Sequence, residues 1–452
     1  MKNNQRLIVV GGNAAGMAAA LRARRNRPDI DITVVEKSDR ISIANCSIPA
    51  YLEGLIESID SLQVMSPEEA FAQHRVDVLT GHQALEIHPT KHLLAVENLS
   101  TGQSFELPYH RLILSTGADP IRPDWPNVGA KGIFTLRNLD DAQSLRNFIE
   151  RKKPAKFIVI GTGTIAQSCA AALRRHGLDV LMIGNSSGLM EDLEEPIAKR
   201  IHDTLVENDI SEYYTDNLSG FKVSLEYEVT SVLEGSKSFP CQGVLLAMGV
   251  KPNVNLVKKA DISIGHSGAI RVDRHLMTSR QRIYACGDCA ETVNRLTNRP
   301  IYWPLATTAA RQGRQAGESA CGGRGYDPGT FAVRLWTCFD LHIGRIGLSC
   351  KEAEENGFLP NTIAVKAISK PSAFGGDELD LVLITDRKDD RLIGAQVAGR
   401  EGVHARFNTL AAAIAGRLTP RDLENLDLGY TPRISNLWDP VQIGGRLGSK
   451  RK

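Results

Sequence analysis

The chain has 452 residues, of which 42% are hydrophobic and 23% charged, and 54 Lys and Arg against 52 Asp and Glu give a net charge of +2. This length predicts roughly two to four domains of about 100 to 200 residues, and the near-neutral charge disfavours a dedicated nucleic-acid binder. No uninterrupted apolar stretch approaches the roughly 18 residues of a membrane span, and glycines interrupt the signal-like run at residues 7–21. We therefore expect a cytoplasmic protein that binds neither nucleic acid nor membrane.

The eight cysteines are spread along the chain instead of forming a compact disulfide framework. Cys286 and Cys289 have C-x-x-C spacing, but no second pair or nearby histidine cluster completes a zinc site. We interpret them as buried residues of a turn and predict no metal site. A reducing compartment fits this pattern.

The first chemical signal is a glycine turn near the N-terminus. Residues 6–10 predict a short strand, the turn at residues 11–16 follows, and residues 17–25 have the composition of a helix. A second strand at residues 30–36 ends in Glu36. Such a turn lets backbone N–H groups face a pyrophosphate, while the later acid binds a ribose hydroxyl. Asn13 stands at the middle glycine position, so this turn alone is a moderate signal.

A second copy of the pattern begins near residue 156. A strand at residues 157–160 leads into the turn at residues 161–166, a helix at 167–176 and a strand at 179–183. A single glycine turn is often an ordinary connection between a strand and a helix. Two copies in matching context predict two nucleotide sites.

Two further buried strands, at residues 111–114 and 283–285, also end in glycine turns. Beyond about residue 327 the pattern changes: strands are predicted at residues 331–335, 362–368, 379–385 and 392–398, with a helix at 405–415. The predicted fold class is therefore α/β, with two doubly wound dinucleotide-binding domains and a C-terminal α+β domain.

Taken together, these residues resemble the single-cysteine branch of the FAD-dependent pyridine nucleotide-disulfide oxidoreductases. The resemblance covers residues 6–445 and is carried by residues 11–16, 42–49, 115–118, 286–288 and 304–314. Within the branch, residues 44–46, 428–432 and 439–441 are most similar to coenzyme A-disulfide reductase.

The resemblance implies a glutathione reductase-like domain order and a homodimer. Residues 1–120 and 253–326 would form the two parts of an FAD domain, residues 121–252 an NAD(P) domain, and residues 327–452 a dimerisation domain. The implied contacts to FAD and to the nicotinamide nucleotide are Gly11, Gly12, Ala15, Gly16, Glu36, Lys37, Thr116, Gly117, Gly161, Gly163, Gly287, Asp288 and Ala306.

The resemblance places Cys46 at the start of a helix above the flavin. A helix N-terminus lowers the pKa of a cysteine, and the thiolate can attack a disulfide to leave a mixed disulfide. No cysteine lies close enough in sequence to Cys46 for a C-x-x-C or C-x4-C pair. The substrate must therefore supply the second sulfur, or an oxygen species must oxidise Cys46 to a sulfenic acid. Without the resemblance, a packed residue is the better interpretation.

The resemblance also implies a coenzyme A site formed by Arg22, Ser42, Asn45 and Arg311. Guanidinium groups bind phosphates bidentately, although each arginine alone is more often a surface charge. Tyr430 would enter the active site of the neighbouring subunit and hydrogen-bond the leaving thiolate. An aromatic residue that packs in the dimer interface is an equally good interpretation of Tyr430.

The sequence departs from the family pattern at the implied disulfide pocket and at the implied nicotinamide nucleotide site. Ala50 replaces an aromatic residue and the loop at residues 373–376 lacks the usual tyrosines, so the substrate pocket is predicted to be wider and less polar. Residues 184–187 lack the acid that binds a free ribose diol. This gives a slight preference for NADPH over NADH, with a weakened nicotinamide site as the alternative.

The predicted function is NAD(P)H-linked, FAD-dependent reduction of coenzyme A disulfide, or of a related small disulfide or persulfide, through Cys46. One alternative is an NAD(P)H oxidase or peroxidase that uses a sulfenic acid at Cys46. Another is a flavoprotein redox sensor with a degenerate nicotinamide site.

Overall fold

The computed structural model describes residues 5–450, which divide into two compact units. The first comprises the described residues up to Ile121 together with Arg137–Gln143 and Val250–Thr330. The second comprises Arg122–Leu136, Ser144–Gly249 and the described residues from Phe331 onward. Within residues 5–450, none of the helices has both the length and the apolar character needed to cross a bilayer.

Residues up to 121 alternate short strands with a few helices and two 3₁₀ turns, at Asn45–Ser47 and Ile59–Leu62. The elements are β1 (Arg6–Val10), α1 (Ala14–Asn26), β2 (Asp31–Val35), α2 (Ile48–Glu53), α3 (Pro67–His74), β3 (Asp77–Leu79), β4 (His82–His88), β5 (Leu93–Asn98), β6 (Ser104–Pro108), β7 (Arg111–Leu114) and β8 (Ala118–Pro120).

The middle of the chain repeats the strand-helix alternation. Its elements are β9 (Ile133–Phe134), α4 (Leu139–Lys152), β10 (Lys156–Ile160), α5 (Thr164–Arg175), β11 (Asp179–Gly184), α6 (Glu195–Glu207), β12 (Ile210–Tyr214), β13 (Leu218–Val223), β14 (Val229–Glu234), β15 (Lys237–Pro240), β16 (Gly243–Leu246), β17 (Val250–Pro252) and α7 (Asn255–Lys258).

The remaining elements return to the first unit and then build a separate antiparallel sheet. They are β18 (Ile283–Ala285), β19 (Thr292–Val293), β20 (Pro300–Ile301), α8 (Ala306–Ala320), β21 (Arg334–Cys338), β22 (Leu341–Gly347), α9 (Cys350–Glu355), β23 (Pro360–Ile368), a 3₁₀ turn (Ser372–Phe374), β24 (Glu378–Asp386), β25 (Leu392–Gly399), α10 (Val403–Ala415), α11 (Pro420–Glu424) and α12 (Pro440–Ser449).

The core of the first unit is a parallel sheet of order β18-β7-β1-β2-β3. Val10 pairs with both Val35 and Leu114, so β1, β2 and β7 end at one edge. The helices α1 and α8 pack closely beside this sheet. A Cβ at Gly313 would lie 2.1 Å from the carbonyl oxygen of Ala15, so only glycine permits this approach. The edge where the strands end carries the glycine turn.

The second unit contains a parallel sheet of order β12-β11-β10-β16-β9 and an antiparallel sheet of order β21-β22-β25-β24-β23. The buried Trp336 of β21 donates its indole N–H to the side-chain oxygen of Gln167 on α5, at 2.8 Å. Asp192, in the loop after β11, pairs with Arg334 at 3.1 Å and with the buried Arg345 at 3.2 Å. The C-terminal sheet thus holds α5 and the loop after β11.

The predicted fold class is confirmed, and the strands at both glycine turns occur where the sequence places them. The predicted strand at residues 331–335 is instead Arg334–Cys338, because Ala332 has a positive φ of 54° that strand backbone does not adopt. Strand β22 was not predicted. The domain boundaries at residues 120, 252 and 326 stay a prediction.

Candidate active site

The turn at residues 11–16 leaves no room for side chains at its glycines. A Cβ at Gly11, which has a φ of 100°, would lie 2.3 Å from the carbonyl oxygen of Ser115. At Gly16 it would lie 1.8 Å from the carbonyl oxygen of Gly11, and at Gly12 2.6 Å from Cγ2 of Ile41. The turn therefore brings backbone N–H groups and the N-terminus of α1 to the sheet edge, which suits a pyrophosphate.

Glu36, directly after β2, is hydrogen-bonded to this turn. One carboxylate oxygen accepts the Gly12 N–H at 2.6 Å, and the other accepts the Ser38 N–H at 2.8 Å. Two backbone donors thus position the predicted ribose acceptor. Lys37, also predicted to contact the cofactor, is exposed beside it.

Asn13, which replaces the middle glycine, has a structural role. Its side-chain oxygen accepts the Ile43 N–H at 2.7 Å and does not cap α1. The Ser42 N–H also donates to the Gly12 carbonyl oxygen, at 2.9 Å. These two bonds attach the segment that carries Cys46 to the glycine turn, and Ser42 adopts a positive φ of 55° there.

The other predicted FAD contacts lie in the same unit. Thr116 donates to the Asn253 carbonyl oxygen at 2.7 Å, and Gly117 follows it with a φ of 70°. Gly287, with a φ of 78°, packs so tightly that a Cβ would lie 2.7 Å from that of Ala15. Ala306 is exposed as the first residue of α8.

Asp288 pairs with Arg137, whose Nη2 lies 2.7 Å from Oδ2 of the carboxylate. Arg137 was not predicted from the sequence, because 151 residues separate it from Asp288. Arg137 also approaches Gly117, where a Cβ would lie 3.7 Å from its guanidinium. This arginine is therefore an additional cation beside the predicted flavin contacts.

Cys46 is exposed in the 3₁₀ turn Asn45–Ser47, which leads directly into α2. The pKa of its thiol lies above the ordinary value, because surrounding protein atoms partly desolvate it and the charge of Asp288 raises it further, while Arg137 lowers it. Desolvation and Asp288 together outweigh the lowering of this pKa by Arg137. The expected lowering by the helix N-terminus stays a prediction.

The arginines predicted to bind coenzyme A have acidic partners within the chain. Nη2 of Arg22 on α1 lies 2.6 Å from Oε2 of Glu318 on α8. Nε of Arg311 lies 3.6 Å from Oδ1 of the buried Asp327. Asn45 lies beside Cys46, and its side-chain oxygen is buried without a hydrogen-bond partner. Each arginine would have to share its charge with a carboxylate to bind a phosphate.

The second glycine turn belongs to the other unit. A Cβ at Gly161, which has a φ of 125°, would lie 2.2 Å from the carbonyl oxygen of Ala247, whereas one at Gly163 would have no atom within 4 Å. Gly163 is the N-cap of α5. The geometry of the second glycine turn suits a second nucleotide.

Tyr430, in the same unit, is 48% exposed in the segment before α12.

The comparisons with known proteins decide the family. Residues 5–313 match the model of the family described as pyridine nucleotide-disulphide oxidoreductase. Residues 335–440 match the dimerisation domain of the same family. The chain belongs to the pyridine nucleotide-disulphide oxidoreductases. This oxidoreductase family fits FAD and NAD(P)H, in agreement with the two glycine turns.

Three relatives match this oxidoreductase over nearly its whole length. The NAD(P)H coenzyme A polysulfide/persulfide reductase of Pyrococcus horikoshii is 31% identical over 446 residues, which are 98% of each chain. An NADH oxidase of Methanocaldococcus jannaschii is 29% identical over 449 residues, which are 99% of each chain. The structure of a NAD-dependent persulfide reductase from A. fulgidus has a TM-score of 0.95 at 31% identity, covering 99% of this chain and 83% of that one.

The other cysteines of this oxidoreductase are less accessible than Cys46. Cys286 and Cys289 are both buried, and the Cys289 thiol donates to the carbonyl oxygens of Cys286, at 3.3 Å, and Leu114, at 3.5 Å. Among residues 5–450, no group of three His, Cys, Asp or Glu side chains is arranged to hold a metal ion. Burial raises the pKa of both thiols, which makes them poor nucleophiles.

Proposed function

We propose that this oxidoreductase reduces coenzyme A disulfide, or a related low-molecular-weight disulfide or persulfide, with NAD(P)H as reductant and Cys46 as the redox residue. The observation that carries the proposal is the position of Cys46. It is exposed on a turn that hydrogen bonds attach to the glycine turn, and its thiol is influenced by both Asp288 and Arg137.

The sulfur chemistry needs a single protein thiol. The Cys46 thiolate attacks one sulfur of the disulfide, so that a Cys46–substrate disulfide forms and one thiolate leaves. Two electrons and a proton then cleave this mixed disulfide, which releases the second thiol and regenerates the Cys46 thiolate. FAD, when bound, would pass those two electrons from NAD(P)H to sulfur.

The chain's own residues would hold FAD at three places. The N–H groups of residues 11–16 would bind the pyrophosphate, Glu36 the adenosine ribose, and Asp288 the ribityl chain, with Arg137 as its partner. Thr116, Gly117, Gly287 and Ala306 would line the remaining cofactor surface. The desolvated thiol must lose its proton before it attacks, so we assign Arg137 a role in stabilising the Cys46 thiolate.

The substrate and dimer assignments extend this proposal. Arg22, Ser42, Asn45 and Arg311 would contact a coenzyme A moiety. Tyr430 would complete the active site of the other subunit in a homodimer. The relative from P. horikoshii, named for coenzyme A polysulfide and persulfide, supports the sulfur substrate class.

The reductant is assigned here only as NAD(P)H, bound at Gly161 and Gly163. From residue types alone, the loop at residues 184–187 slightly favours NADPH. The side-chain contacts of the same loop favour NADH instead.

The test is the variant Cys46→Ser. Serine keeps the size but is a far weaker nucleophile toward sulfur, so turnover of coenzyme A disulfide should vanish. Flavin content and anaerobic flavin reduction by NADH or NADPH in stopped-flow should stay unchanged. The matched control Cys350→Ser changes a partly buried cysteine outside the site and should keep full turnover. Undiminished disulfide turnover in Cys46→Ser would remove Cys46 from the mechanism.

A second candidate function is an NADH oxidase or peroxidase. The M. jannaschii relative carries the name NADH oxidase, and an exposed cysteine without a protein partner can be oxidised to a sulfenic acid. Mass spectrometry of the oxidised enzyme separates the two functions. A thiol adduct on the Cys46 peptide supports disulfide reduction, whereas a sulfenic acid supports the oxidase. Absence of flavin reduction by either nucleotide would support the redox sensor.

A further inference from the structure

The loop after β11 lies where a nucleotide-binding unit of this type contacts the adenosine ribose. Strands β11 and β12 are parallel neighbours, with Gly184 paired to Tyr214 at their ends. The residues that follow each strand, Ser186 and Asp216, therefore reach the same edge of the sheet as the glycine turn. This edge decides whether a free ribose diol or a 2'-phosphate is accepted.

The end of β11 has no space for the acid that usually binds the ribose. A Cβ at Gly184 would lie 2.6 Å from Cγ2 of Thr162, in the glycine turn, and 3.0 Å from the Tyr214 ring. Any longer side chain would meet the same two neighbours. An acid for the ribose must come from another element.

Strand β12 brings a carboxylate to this place. One oxygen of the exposed Asp216 accepts the Ser186 N–H at 3.2 Å, and the other accepts the Ser186 hydroxyl. These bonds lower the pKa of Asp216, so the group is ionised at neutral pH. The Ser186 hydroxyl, which could have bound a 2'-phosphate, is already donated to Asp216.

A second carboxylate, that of Glu191, accepts the hydroxyl of the other serine in the loop, Ser187. Ser187 donates to Glu191, and this bond together with Lys351 lowers the pKa of Glu191. Lys351 brings a cation to the loop, but its ammonium lies 3.0 Å from the Glu191 carboxylate. Asp216 and Glu191 together therefore outweigh Lys351 by one negative charge.

We propose that Asp216, with Glu191 beside it, makes the nicotinamide site selective for NADH over NADPH. The Asp216 carboxylate takes the position of the missing acid of β11 and accepts a ribose hydroxyl, while a 2'-phosphate would face two carboxylates. This inference rests on the proposed function, because it specifies the reductant of the same reaction.

Calorimetric binding of NAD⁺ and NADP⁺ to the FAD-loaded protein tests the inference without turnover, since neither oxidised nucleotide can reduce the flavin. We expect NAD⁺ to bind about tenfold more tightly than NADP⁺ at low ionic strength, as two like charges a few ångströms from a phosphate require. Added salt should narrow the ratio by screening these exposed charges.

Asp216→Asn should reduce the ratio of NAD⁺ affinity to NADP⁺ affinity severalfold, and Glu191→Gln should reduce it less. The matched control is Asp209→Asn, which removes the same charge at the opposite end of β12 and should leave the ratio unchanged. Asparagine also tolerates the positive φ of 55° at position 209.

Three results would overturn the inference: NADP⁺ binding as tightly as NAD⁺, equal effects of Asp216→Asn and Asp209→Asn, or no binding of either nucleotide. The readout is independent of Cys46. Loss of disulfide turnover together with an intact preference for NAD⁺ would count against the proposed function and leave this inference standing.

Discussion

The guanidinium of Arg137 lies 2.7 Å from the carboxylate of Asp288, and the two charges act on the Cys46 thiol in opposite directions. Asp288 raises the pKa of the thiol and Arg137 lowers it. Because the thiolate is the reactive form, a higher pKa means less thiolate at a given pH. Desolvation raises the Cys46 pKa most, and the balance between these two side chains adjusts the pH at which Cys46 becomes reactive.

We predict that Arg137→Met moves the pH profile of Cys46 alkylation upward, by about 0.5 to 1 pH unit for the loss of one nearby, partly buried charge. Iodoacetamide labelling of the Cys46 peptide, followed by mass spectrometry from pH 6 to pH 10, measures the profile. The matched control is Arg280→Met, which removes a half-buried arginine paired with Asp261. A downward movement in Arg137→Met, or equal movement in both variants, would contradict the assignment.

We predict that Gly16→Ala destroys FAD binding. The added methyl would lie 1.8 Å from the Gly11 carbonyl oxygen, so the turn must open, at a cost of about 3 kcal/mol for a well-packed site. Gly163→Ala is the control, since its methyl meets no atom within 4 Å. That variant should keep its FAD and lose about 1 kcal/mol or less as a weaker N-cap. Flavin absorbance and thermal unfolding measure both quantities.

We predict that Asn13→Ala loosens the segment that carries Cys46. The variant loses the acceptor of the Ile43 N–H, a bond worth about 1 kcal/mol. Hydrogen exchange of the Ile43 amide should accelerate. Asn13→Asp keeps an oxygen acceptor and should keep the protection, although its charge beside the pyrophosphate site should weaken FAD binding. Unchanged exchange in Asn13→Ala would show that the bond is not formed in solution.

We predict a homodimer formed through the C-terminal domain. The segment before α12 exposes apolar side chains, with Ile434 70%, Leu437 64% and Trp438 56% exposed. Trp438→Glu should convert the dimer to a monomer in light scattering, because burying an unpaired charge in an interface is costly. The control is Leu225→Glu, at a fully exposed position. A wild-type monomer at micromolar concentration would refute the prediction and leave Tyr430 without a role.

The sequence predicted those parts of the site that depend on local pattern. Both glycine turns were found from sequence because their spacing and flanking strands are contiguous in the chain. Arg137 and Asp216 were missed because their partners, Asp288 and Ser186, are distant in sequence and meet only through the fold. Strand β22 was missed because its two glycines weaken the strand pattern.

The close packing of α1 against α8 has a consequence for synthesis. Ala19 and Ala23 of α1 are fully buried in the finished protein, and a Cβ at Gly317 of α8 would lie 2.2 Å from the Ala19 carbonyl oxygen. When residue 121 has left the ribosome, neither α8 nor β18 has yet been made. The first part of the first unit, up to residue 121, therefore has an uncovered helix face and an open sheet edge while the second glycine turn is translated. Because exposed apolar surface and unpaired strand edges favour aggregation, we expect chaperones to bind this stretch during synthesis.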